Sequence, residues 1–487
     1  MRSVSRAFAL ACTMAFAVTQ GAFADEDVAA QLRALQERMQ QLEDRLEATS
    51  DQLEAANERV AEQQEVIERA GLDDPAIGTS GLMGFLSDVQ ITGHVSTSYW
   101  YNFNDPDNNN LTGANTGLTG SLYTFNPDAN QFSFDQLWFG LERPVSPEHR
   151  AGFRADVVYG KVARLAPLGN TAFGGNNLYI GQAYVQYLAE TPIGDVQFLA
   201  GKFFTPVGQE VVDTTQNWFI TRSNVWAMLQ AIDHVGVLAL HERDFDTWKG
   251  TFGVGVVNGV AVDQPDVNDA KTLLFHFAAE WDAFAMKATL IQGKETVPFP
   301  GSGFDASLDR IGNESQEFTG IDVVLNWQVN DKLATYLDAN FNRYDATGGA
   351  DPKAWGVAVA GRYAITDRLG AAVRADYVKS DQCYPTFPVA CTIDSFGAAF
   401  QGPRVGNAFH PTILGNGVFD DADTNFWSLT GTVDYLVTDH LKIRGEARWD
   451  KVNVDTFSDD YFISDGDRVL FGADDQATIG VEAIYQF

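Results

Sequence analysis

Six basic side chains have a spacing that suits electrostatic guidance of solutes rather than bond-making chemistry. They occupy alternate positions in otherwise apolar segments, so an extended chain would place them on the face opposite the apolar residues. Acidic side chains share these polar faces. The two sets are Arg154, Arg362, Arg374, Lys442, Arg444 and Arg448, with Asp156, Asp338, Asp376, Asp434 and Glu446. Charges of both signs along one wetted surface attract and orient polar solutes, and this is the chemistry that the pattern predicts.

A second group of candidate residues lies in the long segment 204–232, which joins two alternating segments and is rich in aromatic residues. Its candidate side chains are Glu210, Asp213, Trp218 and Arg222. Carboxylates on such a segment could face the arginines of the polar faces across water.

Residues for catalysis or metal binding are present but are not grouped. The seven histidines are scattered, and no pair has a zinc-binding spacing with a third ligand. No Gly-rich phosphate-binding loop occurs. A Ser, His and carboxylate constellation stays open, because its members meet only in space. We predict that the chain is not an enzyme and uses neither a metal nor a cofactor.

The composition excludes two further classes of protein. The 487 residues include 65 acidic and 33 basic residues, which gives a formal charge of −32. Such a chain repels nucleic-acid phosphates unless a strongly basic segment is present, and none is. After the first 24 residues, no apolar run reaches the roughly 18 residues that a transmembrane helix needs, which excludes a helical membrane bundle.

Residues 1–24 have the features of a secretory signal peptide. Arg2 and Arg6 precede an apolar stretch over residues 7–18, and small residues end the segment at Ala24. The alternative, a membrane anchor, is disfavoured because the apolar stretch spans only about half a bilayer.

Export of the chain bears on its cysteines. Cys12 leaves with the signal peptide, so only Cys383 and Cys391 remain, and they enter an oxidising compartment. We expect a disulfide between them, and two free buried thiols are the alternative.

Residues 25–70 predict a coiled coil. The segment has no Gly or Pro, and its apolar residues recur in steps of three and four. The main seam residues are Leu32, Leu35, Met39, Leu42, Leu46 and Leu53. This narrow stripe favours self-association over a helix lying on another surface, but it does not distinguish two strands from three. Residues 71–87 then break the helix and form a linker.

Residues 88–487 alternate apolar and polar residues over segments of about ten residues, the length of a tilted membrane strand. In the clearest example, Leu441, Ile443 and Trp449 interleave with Lys442 and Arg444. A soluble sandwich would also bury one such face, but its strands average about six residues. We count about 16 strands and predict an all-β fold, an antiparallel up-and-down transmembrane β-barrel preceded by the α-helical coiled coil.

The connections between these strands alternate in length. Short turns near 146–148, 191–194, 282–283, 330–331 and 366–367 alternate with long segments near 105–129, 204–232, 294–316, 381–423 and 454–474. Outer-membrane barrels have an even strand number, short periplasmic turns and long outer loops. Both ends of the barrel sequence then fall on the periplasmic side.

The carboxyl-terminal strand ends on Phe487, as in bacterial outer-membrane proteins whose last residue is read by the barrel-assembly machinery. From about Phe85 onward the chain resembles the OmpL-like beta-barrel porin type 2 family. The resemblance rests on Tyr101-Asn102-Phe103-Asn104-Asp105-Pro106, Gln182-Ala183-Tyr184-Val185, Gly201-Lys202-Phe203-Phe204-Thr205-Pro206-Val207-Gly208-Gln209-Glu210 and Arg222-Ser223. The heptad segment is not part of that pattern and looks more like the periplasmic coiled coils of some trimeric porins.

The resemblance implies an outer-membrane porin through which small hydrophilic solutes and ions diffuse passively. In porins the third long loop folds into the barrel, which would make 204–232 the constriction; coverage of the outer rim is the alternative. We expect contact with outer-membrane lipid, a homo-oligomer with a trimer favoured, and a mild cation preference because the outer loops are acidic. The rival function is an envelope tether in which the coiled coil acts and the barrel only anchors it, and liposome swelling distinguishes the two.

Overall fold

In the computed structural model of the chain, the described residues are 40, 88–104, 126, 130–165, 178–260, 269–295, 316–345, 353–381, 424–453 and 474–487. The chain divides into two units, Met1–Asp88 and Val89–Phe487. The predicted signal peptide, the coiled-coil seam and the two cysteines of the expected disulfide all lie outside the described residues and stay predictions.

The second unit is built from strands, with two short helices in the described ranges. The strands are β1 (Gln90–Asn102), β2 (Gln131–Arg143), β3 (Ala151–Tyr159), β4 (Leu178–Thr191), β5 (Gly194–Phe204), β6 (Asp233–Asp244), β7 (Lys249–Val257), β8 (Thr272–Glu280), β9 (Phe284–Glu295), β10 (Gln316–Gln328), β11 (Leu333–Asp345), β12 (Lys353–Ala364), β13 (Leu369–Asp381), β14 (Thr424–Leu436), β15 (Leu441–Val452) and β16 (Asp475–Gln486). The helices are α1 (Lys161–Leu165) and α2 (Asn224–Leu229).

The strands form one closed antiparallel barrel. Each strand pairs with its neighbours in sequence, and β16 returns to pair with β1, for example at Thr97 and Ala483. The prediction of an even, 16-stranded up-and-down barrel is thus confirmed. Short turns gather at the end where β1 begins and β16 ends, here called the short-turn end, and the opposite end is the long-loop end.

The two faces of the barrel wall have opposite character. On β15, Ile443 and Trp449 are exposed outside, whereas Arg444, Glu446 and Arg448 are buried inside. A soluble protein has the reverse distribution, with apolar residues buried and charges exposed. An apolar outer wall and a polar interior are typical of barrels surrounded by lipid.

Aromatic side chains mark both ends of the apolar outer band. At the long-loop end, Trp355, Tyr377 and Trp427 follow one another across β12, β13 and β14, with successive ring centroids 5.2 and 4.3 Å apart. At the short-turn end, Trp327 and Tyr435 are exposed. Such belts place amphipathic rings at the two bilayer interfaces.

The last residue of the chain completes the barrel closure. The Phe487 backbone N–H donates to the Gly93 carbonyl at 3.0 Å, and the Gly93 N–H donates to the Phe487 carbonyl at 3.2 Å. The Phe487 ring covers Gly93 so closely that a Cβ atom there would lie 2.5 Å from the ring. Only glycine leaves room for the ring at this point of the seam.

We expect Gly93→Val to destabilise the barrel by about 1–3 kcal/mol, because the new side chain displaces the Phe487 ring from the seam between β1 and β16. The measurement is urea unfolding of the detergent-solubilised protein. Gly431→Val is the matched control, because Gly431 also faces outward but has no atom within 4 Å of its Cβ position. Equal stability of the two variants would contradict a role of the ring in closure.

Candidate functional site

The segment between β5 and β6, residues 205–232, lies inside the barrel and is called the inner loop. Its second half, from Phe219 to Ile232, is buried throughout. Two caps order it locally: the Asp213 carboxylate accepts from the Thr215 N–H, and the Ser223 hydroxyl accepts from the Trp226 N–H at the start of α2. Its contacts lie on the inward faces of the wall rather than on the outer rim.

Carboxylates of the wall hold the inner loop by its backbone N–H groups. Gly208 donates to Asp322 at 2.9 Å, and Gln209 donates to Asp338 at 2.8 Å. Further along the loop, the N–H of residue 220 donates to Glu446 at 2.7 Å, and that of residue 224 donates to Asp376 at 3.1 Å. A loop with little regular structure has unpaired N–H groups that are costly to bury, and these carboxylates supply the acceptors.

Arginines of the wall hold the same loop by its carbonyl groups. Arg374 donates to the carbonyl of residue 221 at 2.9 Å, and Arg444 donates to that of residue 217 at 2.7 Å. Arg448 donates to the carbonyl of residue 222 at 2.5 Å. Charges of both signs on β10, β11, β13 and β15 therefore fix the course of the loop across the lumen.

Four ion pairs neutralise these buried arginines. Arg374 contacts Glu210 of the inner loop and lies 3.5 Å from Asp376, its neighbour on β13. Arg444 contacts Glu482 of β16, and Arg448 contacts its strand neighbour Asp450 at 2.7 Å. Arg374 is 0% exposed and Glu210 is 4% exposed. Because both charges lack water, each depends on the other for its stabilisation.

Arg222 organises the inner loop from within. Its guanidinium donates to the carbonyls of Val211, Val212 and Ile220 at 2.8 to 3.0 Å, which ties the outgoing half of the loop to the returning half. Burial lowers the pKa of Arg222 to about 10. The group therefore keeps its charge at neutral pH.

The structure brings the candidate loop and wall residues together, but in a different arrangement from the one expected. The hypothesis placed water between the loop carboxylates and the wall arginines, whereas Glu210 and Arg374 are in direct contact. Asp213 caps a short 3₁₀ turn and lies 3.7 Å from His94. Trp218 packs on Tyr336 with ring centroids 5.2 Å apart. All three guanidinium nitrogens of Arg444 and Arg448 donate to protein acceptors, and so do the two terminal nitrogens of Arg374.

Three other wall candidates lie towards the short-turn end and are partly exposed. Arg154 is 30% exposed and donates to Glu142 at 3.0 Å and to Asp156 at 2.9 Å. Arg362 is 32% exposed and contacts Asp434 at 2.8 Å. Lys442 is also partly exposed. These side chains can still meet solutes in the lumen.

Sequence reasoning missed two features that position the loop. Asp322 and Glu482 were not singled out, although each stands on the polar face of its strand. The other feature is the small-residue face of β12, where Ala354, Gly356 and Ala358 point inward and α2 packs over them. The Cβ position of Gly356 lies 3.0 Å from a methyl group of Leu229. This run of alternating Ala and Gly on the inward face of β12 is the sequence feature that could have predicted a helix packed inside the barrel.

Within the described residues, no group of three or more His, Cys, Asp or Glu side chains is arranged to hold a metal ion. No helix in the same residues is both long and apolar enough to cross a membrane.

Residues 88–487 match the family model described as "Putative beta-barrel porin-2, OmpL-like". No curated protein matches the chain. Among solved structures, the high-pH structure of Pseudomonas putida OprB has 13% identity and a TM-score of 0.49, over 83% of this chain and 96% of that one. In-vitro folded OmpT of Vibrio cholerae has 12% identity and a TM-score of 0.48, over 82% and 97%. An anion-selective porin from Comamonas acidovorans has 13% identity and a TM-score of 0.48, over 82% and 99%.

The family model spans the whole barrel, from two residues before β1 to residue 487. Its members are porins, which are outer-membrane channels rather than enzymes. The chain therefore belongs to the OmpL-like beta-barrel porin-2 family.

Proposed function

We propose that this barrel lets small hydrophilic solutes and ions diffuse passively across the outer membrane. The observation that carries the proposal is the inverted wall, with an apolar outer face and charged side chains along the inner face of a closed 16-stranded barrel. Barrels of this size enclose an aqueous channel unless an inserted element fills them. The outer face contacts outer-membrane lipid, and the strand ending at Phe487 is recognised by the barrel-assembly machinery.

The inner loop supplies the constriction of the proposed channel. It crosses from β10 and β11 to β16 and returns past β13, so it occupies lumen that a bare barrel would leave open. Glu210, Asp213, Trp218 and Arg222 belong to this element, and the partly exposed Arg154, Arg362 and Lys442 line the lumen towards the short-turn end. The short-turn end faces the periplasm and the long loops face outward.

Reconstitution in planar bilayers tests the function. We expect stepwise channel insertions, swelling of protein-containing liposomes in small sugars and amino acids, and a reversal potential that shows a mild cation preference in a KCl gradient. The predicted outer loops are acidic, and acidic residues at a channel mouth concentrate cations, which is the reason for the expected sign. Folded protein that inserts but passes neither ions nor sugars would overturn the proposal.

We further propose that the chain forms a homo-oligomer, with a trimer favoured, through the barrel and the coiled coil of residues 25–70. The heptad seam supports this, since its apolar stripe needs a partner helix. Cross-linking of the same purified preparation counts the subunits.

A further inference from the structure

Lys442 stands apart from the other buried or half-buried cations of the lumen. It points inward on β15 close to the short-turn end, opposite Leu436 on β14 and Ile484 on β16. Among the described residues, no hydrogen-bond acceptor or carboxylate partners its ammonium group. The next inward residue, Arg444, is already neutralised by Glu482, which accepts from its Nε at 2.8 Å.

Arg362 brings a second cation to the same part of the wall. Its guanidinium reaches from β12 across β13 to Asp434 on β14, where Nε and Nη2 donate at 3.2 and 2.8 Å. Gly370 lies beneath this bridge, and a Cβ atom there would collide with the guanidinium and with Asp434. The bare backbone at Gly370 therefore permits the bridge, and Nη1 of Arg362 stays unused by Asp434.

The Asp434 carboxylate binds Arg362 and lies within electrostatic range of Lys442, without a direct contact to it. Asp434 pairs across strands with Arg444, one pleat from the pairing of Leu436 with Lys442, so Lys442 is a diagonal neighbour of Asp434. Arg362 and Lys442 against Asp434 leave one net positive charge, because Glu482 compensates Arg444. Like charges held near each other in a partly desolvated wall repel, and one bound anion relieves that repulsion.

We propose that Arg362 and Lys442 form a binding site for the carboxylate of a small organic monoanion. One carboxylate oxygen accepts from the Lys442 ammonium and the other from Nη1 of Arg362. A single negative charge matches the net charge of the cluster, which selects a monoanion over a dianion. The site rests on the proposed channel function. It adds a binding site for one class of anion to a channel for which we expect a mild cation preference.

Bilayer currents in potassium acetate test the site, with potassium chloride as the reference salt. For the unmodified protein we expect the acetate current to saturate with concentration. Lys442→Gln should lower acetate permeability relative to chloride by about threefold, because one exposed charge contact with the carboxylate is lost. The acetate current should then rise linearly with concentration. Lys442→Arg should retain saturation because it keeps the charge and the donors.

Lys353→Gln is the matched control, because Lys353 is exposed on the outward-facing side of β12 at the long-loop end. It removes the same charge and should leave the acetate to chloride ratio unchanged. If Lys442→Gln and the unmodified protein have the same ratio of acetate to chloride permeability, the site is overturned. An equal fall of the acetate and chloride permeabilities would also overturn it, because such a fall indicates only a general effect of surface charge. If the unmodified protein forms no pore in KCl, it is the channel function that fails.

Discussion

Replacing Arg374 with methionine is expected to destabilise the folded barrel by about 3–5 kcal/mol, the cost of leaving a buried carboxylate without its cation. Glu210 would lose its ion-pair partner while 4% exposed, and the carbonyl of residue 221 would lose a donor. The measurement is the free energy of unfolding in urea, with the protein in detergent micelles. The inner loop should also become more sensitive to protease.

A double variant separates the ion pair from general damage. Arg374→Met combined with Glu210→Leu should recover a large part of the lost stability, because Glu210 is then no longer buried without its cation. Asp376, the second carboxylate near Arg374, keeps its hydrogen bonds from Ser428 and from the N–H of residue 224. Arg343→Met is the control for loss of an arginine, since Arg343 is 46% exposed near the end of β11. If the single change at Arg374 costs no more than the change at Arg343, the pair does not hold the loop.

Strand positions were predictable because the bilayer imposes a periodic requirement on every strand. Each outward residue must be apolar and each inward residue can be polar, so the alternation extends over the full strand. The predicted short turns fall between observed strands: 282–283 lies between the end of β8 at Glu280 and the start of β9 at Phe284, and 366–367 lies between β12 and β13. The antiparallel barrel then follows from the short turns, because consecutive strands must pair.

The partners of the inner loop were not predictable in the same way. The alternation of apolar and polar residues places Arg374 and Asp322 on the inward face, but it does not predict which groups each side chain contacts there. Arg374 meets Glu210, 164 residues away in sequence, and Asp322 meets Gly208, 114 residues away. Such contacts depend on the path of one irregular segment, and neither hydrophobic period nor turn chemistry specifies that path.

The charged side chains of the lumen fall into two groups, those that hold the inner loop and those that a solute can contact. Buried arginines and carboxylates that hold backbone groups of the loop have few donors or acceptors left for a passing solute, whereas Arg154, Arg362 and Lys442 are reachable. A charge on an inward face is therefore not evidence of a pore-lining role by itself. The residue must also lack a structural partner or keep exposed atoms, and both depend on the three-dimensional register.

Deleting residues 213–228 is expected to raise the single-channel conductance several-fold. The deletion removes the 3₁₀ turn and most of α2 from the lumen, while the remaining residues still connect β5 to β6. The barrel should persist because its backbone hydrogen bonds run between strands and do not involve the loop. Arg444 and Arg448 would exchange loop carbonyls for water, and they keep their carboxylate partners on β15 and β16.

Deletion of residues 456–471, an equally long part of a predicted outer loop, is the control for loss of chain at the long-loop end. This control deletion should change the conductance far less, because it shortens a predicted loop outside the barrel and leaves the proposed constriction in place. An unchanged conductance after deletion of 213–228 would show that the inner loop does not limit the pore. The narrowest section would then lie among the wall residues at the short-turn end, where Arg154 and Arg362 keep exposed atoms.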